Sequence, residues 1–402
     1  MGLGGILQGL HWRSAAAASG LTETENKLRA ANEEIAILKR ENESLRSLAQ
    51  GGGELAVPRE LIERAEKEFG LRFLSSPVVH RIAVEELRDR VAAALESRFG
   101  PAGIDDRQEA WRLIGWLGPD DDLLPQLTAV RAVGARGWFD DVTGEAWVTD
   151  RHDPNSIPDQ AALVRLLARI LLHQHFPPTP AYPGDDAARA REALHQGAAA
   201  GSEARFYAAN ARAIGFVPMK QNTEVEQLLA SLPEFIRGLT TFPVVEGKGL
   251  ADTLHVRGNE KFQAAFRNPP QTTRAILLPA SPAAAPPVLD LPQTPEEAYL
   301  AETAGQLGLR LWLEPTGDVS AANDWKNDRY VLIPDGEASS AVMWDIELAS
   351  RENADRFETA AHARIAAMAK VSEKRHLSVS RPAPARVRFL NTATPELAAK
   401  FK

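Results

Sequence analysis

Two breaks constrain what this chain can fold into more than any other feature. Gly51-Gly52-Gly53 ends the helical pattern before it, and residues 279–295 hold six prolines in seventeen positions, a run that cannot sustain a helix or the interior of a sheet. The 402 residues are therefore expected to divide into an N-terminal part, a body over residues 54–278, and a C-terminal module over residues 296–402 joined by a Pro-rich linker.

Composition narrows the chemistry. The chain is 44% apolar and 25% charged, the profile of a soluble globular protein. It has no cysteine, which removes disulfides, thiolate metal sites and cysteine nucleophiles, so any metal would rest on His and carboxylate. With 46 Lys and Arg against 54 Asp and Glu, the net charge of −8 argues against a nucleic-acid partner held by a broad basic face. No apolar run approaches the roughly 18 residues of a membrane span.

Residues 1–20 read as a leader. Its short apolar patch is followed by the small-residue run 14–20, as at the end of an export or anchor segment, although Gln8 and His11 interrupt it and no positive start precedes it. Membrane association through this end is one reading, a disordered leader the other. Residues 21–50 carry a heptad pattern, with Leu21, Leu28, Ile35 and Asn42 on one seam position and Thr24, Ala31, Leu38 and Leu45 on the other. A homo-oligomeric coiled coil is expected, Asn42 setting its alignment at some cost in stability; a single solvated helix is the alternative.

In the body, apolar spacing predicts helices over 60–69, 84–99, 105–117, 123–133, 159–175, 187–213 and 224–239, with strand candidates at 71–73 and 78–82. Residues 137–148 read as a hairpin around an Asp/Thr/Gly turn, and Pro177-Pro178 must end the 159–175 helix. Beyond the linker the pattern turns to strand at 309–313, 330–333, 341–348, 377–379 and 387–390, with one helix at 353–370. The fold class expected is α+β: a mainly helical body, a C-terminal antiparallel sheet module and an N-terminal coiled coil.

One ordered set of motifs carries a resemblance. The hairpin Gly137-Trp138-Phe139-Asp140-Asp141-Val142-Thr143-Gly144 is followed by a helix ending in Gln174-His175-Phe176 and a helix containing Ala193-Leu194 and Gly197. Phe242-Pro243 with Gly247, the run 268–273, Ala321-Ala322-Asn323-Asp324-Trp325 and Asp328-Arg329-Tyr330 follow in order. This arrangement, from about residue 70 to near the C-terminus, resembles bacterial zincin-like zinc metallopeptidases. In that family the first helix carries His-Glu-x-x-His and the second a Glu ligand.

Carried across residue by residue, the resemblance puts Arg165 and Arg169 at the two His positions, Leu166 at the Glu and Gln196 at the third ligand. The motif works because positions i and i+4 share a helix face, letting two neutral imidazoles hold Zn²⁺ while the Glu takes a proton from its water. Guanidinium offers no lone pair and repels a divalent cation, and leucine accepts no proton. The resemblance thus implies a non-catalytic member: no catalytic residue, metal or cofactor, and a role in protein binding or scaffolding. Family habit also favours an exported or envelope setting.

Three uses remain for the two arginines. They form ion pairs with Glu192, Glu203 or Asp185 and Asp186 that replace the metal as a cross-link between helices, or they are solvated, or they hold an anionic group such as a peptide C-terminus in a residual cleft. The rival to a non-catalytic role is an active hydrolase, either metal-independent or with a metal relocated to His173, His175 and His195. Against the latter, His173 and His175 point about 200° apart on a helix. Gly247-Lys248-Gly249 lacks the context of a phosphate loop, and no Gly-x-Ser-x-Gly elbow occurs.

Overall fold

The structure is a computed structural model and describes residues 53–100, 102–178, 184–211, 223–279, 297–337, 339–370 and 375–401. The leader, the coiled-coil seam and the linker beyond Pro279 lie outside the described residues. Within the part from Glu54 to Lys402, which forms one compact unit, helix α1 (Arg59–Phe69) buries Leu61, Ala65 and Phe69 at helical spacing and ends on left-handed Gly70. Helices α2 (Val84–Phe99), α3 (Gly103–Ile114) and α4 (Leu123–Ala132) follow. Strands β1 (His80–Ile82), β2 (Gly137–Phe139) and β3 (Ala146–Thr149) make a small sheet in the order β1-β3-β2, with β2 and β3 the expected hairpin and β1 parallel to β3.

Helix α5 (Ile157–His175) starts where the Ser156 hydroxyl accepts from the Asp159 amide and stops before Pro177. Helix α6 (Asp185–Ala209) packs along it. Then come α7 (Thr223–Ser231), α8 (Glu234–Phe242), a π turn (Pro243–Gly247), α9 (Lys248–Val256), α10 (Asn259–Arg267) and α11 (Thr273–Leu277). The α6 backbone and the π turn meet at two glycines: a Cβ on Gly197 would lie 2.2 Å from the Gly247 carbonyl carbon, and one on Gly247 would lie 2.3 Å from the Ala193 oxygen. No other residue permits that approach.

The C-terminal part holds β4 (Leu300–Glu302), α12 (Gly305–Leu313), β5 (Trp325–Pro334), β6 (Ser340–Leu348), α13 (Arg351–Ala369), β7 (His376–Ala383), β8 (Arg386–Thr392) and α14 (Pro395–Lys400). Its five strands form an antiparallel sheet in the order β4-β5-β6-β8-β7. Side chains alternate strictly. Tyr330, Leu332, Val342, Trp344 and Phe389 face α12 and α13, whereas Val331, Ile333, Met343 and Leu390 face Leu397 and Phe401. The first face shares one continuous core with Leu87, Trp111, Trp116, Leu123 and Phe235 of the body, so the expected seam at 279–295 does not separate two cores. A second core lies under α5 and includes Phe69, Val148, Leu167, Leu194 and Phe262.

Three expectations are corrected. Residues 71–73 are not a strand, because Glu66 captures their backbone: its carbonyl accepts from Leu71 N–H and its carboxylate from Phe73 N–H. Residues 309–313 are helix rather than strand. Five residues, Leu309-Arg310-Leu311-Trp312-Leu313, are too few for their apolar spacing to tell a strand from a helix turn, and here Leu309, Trp312 and Leu313 are all buried. The single helix expected over 224–239 is two, since Pro233 has no N–H to continue the first and caps the second.

Buried carboxylates tie α12 in place. Asp328 accepts from the Ala304 and Gly305 amides at 2.8 and 2.9 Å and from the indole N–H groups of Trp325 and Trp344, both at 2.8 Å. This explains why Asp328 and Trp325 stand where they do. Asp186, the second residue of α6, accepts from the Thr273 amide and hydroxyl through Oδ1. Gly305, at φ +71°, lies so close to it that a Cβ would fall 1.8 Å from that oxygen.

Burial pushes Asp186 up to about 7, with the Asp328 charge adding to it against the Thr273 bonds. An unfolded aspartate titrates near 4, so between about pH 4 and 7 only the folded chain holds this proton, and Asp186 makes the fold less stable as the pH rises through that window. Asp186→Asn should accordingly be more stable than the native chain at pH 8 by about 1–3 kcal/mol, the gain shrinking toward pH 5. Urea unfolding at the two pH values checks this; an equal difference at both would contradict it.

Candidate functional site

Helix α6 is Ala-rich and uninterrupted, and it projects Asp185, Arg189, Glu192 and Gln196 at spacings of four, three and four, one stripe of a helix face. Its first residue is fixed from three directions. Arg107 of α3 reaches Asp185 at 2.9 Å and Glu302 of β4 at 2.6 Å, and the Asp185 amide donates to Glu302 at 2.9 Å. The Tyr330 hydroxyl donates to Asp185 at 3.3 Å and accepts from Trp111 at 3.1 Å. Burial, with the Asp185 charge second, pushes Glu302 up to about 7.

Further along the stripe, Glu192 is the centre of a charge cluster. Gln196 donates to its Oε1 at 2.7 Å, Arg98 stands 3.5 Å away and Arg131 3.8 Å away. Burial pushes the Glu192 carboxyl up, but Arg98, Arg131 and Arg169 together outweigh it and hold the group below the usual carboxylate range. Beside this cluster, a cleft of about 130 Å³ opens between the ends of α2 and α4, the α6 stripe and the segment from Leu239 to Pro243.

The positions that the resemblance assigns fall on the α5–α6 pair, yet not on one point. Arg165 bridges to Glu203 at 3.2 Å, one of several partners weighed for it, and the pair is half-exposed. Leu166 is buried and packs over Gly137 of β2. Arg169 is buried, pairs with Asp141 in the hairpin turn and stacks over Phe139 at 5.1 Å. Burial draws its guanidinium down to about 10, with the nearby Arg98 adding to this and Glu192 opposing it. Gln196 thus bonds Glu192 and the Arg169 charge acts on it, whereas Arg165 is held by Glu203. Asp185 and Asp186, weighed as partners of Arg165 and Arg169, are engaged by Arg107, Arg189 and Thr273 instead.

The histidines follow the same electrostatics. His195 packs edge-on to Phe266 at 4.9 Å, and burial together with Arg169, His173 and Arg191 pushes it down to about 3, so it is neutral at any ordinary pH. His173 is lowered by burial and by Arg169, and it packs against Phe139 and Gly144. His175 points elsewhere and bonds the Arg72 carbonyl at 2.7 Å. Among the described residues no group of three or more His, Asp or Glu side chains could hold a metal ion.

A family model described as a domain of unknown function (DUF8575) matches residues 295–390. No curated protein and no solved structure matches the chain. The matched span contains Asp328, Trp325, Tyr330, Glu302 and Gly305, the groups that seat α12 and the start of α6.

Arg98, Arg131 and Arg189 escaped the sequence reading. Arg189 was legible as part of the α6 stripe. Arg98 and Arg131 sit in the last turns of α2 and α4, where a basic residue is ordinary because it complements the helix dipole, so position alone gave no signal.

Neutralising Glu192 leaves its half-buried guanidinium neighbours facing one another without the carboxylate between them. Glu192→Gln should cost about 2–4 kcal/mol in urea unfolding, and adding Arg131→Gln should recover part of that loss. Strictly additive losses would show that the charges do not interact.

Proposed function

We propose that this chain is a non-catalytic relative of the zincin-like metallopeptidases that works by binding protein, with its N-terminal heptads bringing copies together. The observation that carries the reading is Arg169. Where the family has its second zinc-binding imidazole, this chain buries a guanidinium, pairs it with Asp141 and places its charge against Glu192. A divalent cation there would meet positive charge from Arg169 and Arg98 and find no lone pair on Arg165, Leu166 or Arg169.

Ion pairs stand in for the metal on this account. A catalytic zinc site joins two helices through its ligands, and here the same two helices are joined by Arg165–Glu203, a bond that needs no cofactor and performs no chemistry. What remains useful is surface and cleft. No described helix is long and apolar enough to cross a membrane.

Metal analysis and a peptidase assay test the reading. The native chain, purified without chelator, should contain no stoichiometric zinc, read by plasma mass spectrometry, and should cleave no peptide. Stoichiometric zinc in the native chain, or peptide cleavage that survives purification, would overturn it. For the heptads, Ile35→Asp with Leu38→Asp should reduce the sedimentation mass to that of one chain; an unchanged mass would place self-association elsewhere.

A further inference from the structure

His152 is the one buried side chain in an otherwise exposed connection. After β3 ends at Thr149, residues 150–155 lead to Ser156, the cap of α5. Arg151, Asp153, Pro154 and Asn155 are exposed and Asp150 is half-buried, whereas His152 is 5% exposed. The backbone of the connection is held by few bonds. The Asp150 amide donates to the Ile82 carbonyl at 2.8 Å and the His152 amide to the Thr149 carbonyl at 3.0 Å. The Asn155 amide donates to the Asp153 carboxylate at 2.9 Å and the Ser156 amide to the Asp153 carbonyl at 3.0 Å.

The ring itself bonds nothing. Both Nδ1 and Nε2 are buried, and neither has a hydrogen-bond partner among the described residues. Such a site tolerates only the neutral imidazole, because the imidazolium adds a charge and a second N–H donor, each of which needs a partner or water. The surrounding charges do not supply one. Asp159 of α5 and Asp153 of the connection act on the ring with one sign, Arg81 of β1 and Arg136 before β2 with the other. Asp159, the strongest of the four, already accepts from the Arg136 guanidinium at 2.6 Å and the Asp153 amide at 3.4 Å. Burial outweighs all four and pushes the imidazole below its ordinary value.

We propose that His152 makes the β3–α5 connection an acid-sensitive latch, closed while the neutral imidazole sits in the interior and opened when the ring takes a proton and moves to water. Opening reaches α5 itself, because Ser156 caps its first turn and Asp159 lies in it, and α5 is the helix that carries Arg165 and Arg169. In the open connection the ring titrates near 6.5, so from about that pH down to the lower value of the closed form only the open form holds the proton. Acid therefore favours opening. At pH 5 the open form holds about thirty protonated rings for each neutral one, enough for opening to grow about tenfold or more from pH 8. The inference stands on the burial and bonding of the connection and does not depend on metallopeptidase ancestry.

Hydrogen exchange on the full chain at pH 8 and pH 5, corrected for the intrinsic rate at each pH, tests it. The amides of His152, Ser156 and Asp159, all bonded in the closed connection, should lose about tenfold or more in protection at pH 5, while those of β6 and β8 keep theirs. His152→Leu, which has nothing to protonate, should abolish the loss. Asp186 and Glu302 titrate in the same window with the opposite sign and are common to both chains, so the difference isolates His152. An equal loss in native chain and variant, a loss shared by β6 and β8, or no loss in the native chain would overturn the proposal. The contrast between connection and sheet is read on the native chain, so it holds even if His152→Leu fails to fold.

Discussion

The first residue of α6 depends on a single buried guanidinium. Arg107 reaches across from α3 to bond Asp185 and Glu302 at once, and so joins three segments far apart in sequence. Charges of this kind are costly to bury, and what makes them tolerable is that each acceptor has further donors: Asp185 takes Arg189 and Tyr330, and Glu302 takes the Asp185 amide. The arrangement specifies one position for the α6 N-terminus. From there the helix stripe, the cleft and the Glu192 cluster follow at fixed spacing along a rigid rod.

The same arginine also explains why body and C-terminal module share an interior. Glu302 and Tyr330 belong to β4 and β5, and Trp111 belongs to α3, so the polar link runs beside the aromatic core in which Trp116 stacks on Phe235 and meets Trp344 edge-on. Asp328 acts in parallel, with four donors converging on one carboxylate to set α12 against the sheet. Long-range polar bonds and aromatic packing therefore fix the same geometry. Along α5 and α6 the charges continue in that style, with Arg165 on Glu203, Arg169 on Asp141, and Glu192 among Arg98, Arg131 and Arg169.

Much of this was legible in the sequence wherever one period dominated. Helix α2 was expected at its observed bounds, the hairpin at 137–148 and the stop at Pro177 follow from turn chemistry and proline, and β5, β6, β7 and β8 were located though drawn short. The failures share a cause. Residues 309–313 alternate Leu with Arg310 as a strand would, and the helix shows only over the longer span Gly305–Leu313, where Leu309, Trp312 and Leu313 are buried at helical spacing. Residues 71–73 have strand-like composition, yet Glu66 claims two of their amides, Leu71 through its carbonyl and Phe73 through its carboxylate. In the candidate site, Arg165, Leu166, Arg169 and Gln196 were singled out by the resemblance alone, and Glu203 was one of several acids within helical reach of Arg165. Arg98 and Arg131 arrive from helices packed across the fold, and no local pattern announces where the ends of two helices will meet.

The central claim is that the α5–α6 pair is closed by ion pairs and packing with no contribution from a bound metal. Thermal unfolding of the chain purified without chelator, before and after exhaustive dialysis against EDTA, measures this directly, because a resident ion that binds only the folded state raises the midpoint and its removal lowers it. The account predicts the same midpoint before and after dialysis. A drop of several degrees on dialysis, reversed by one equivalent of zinc, would contradict it.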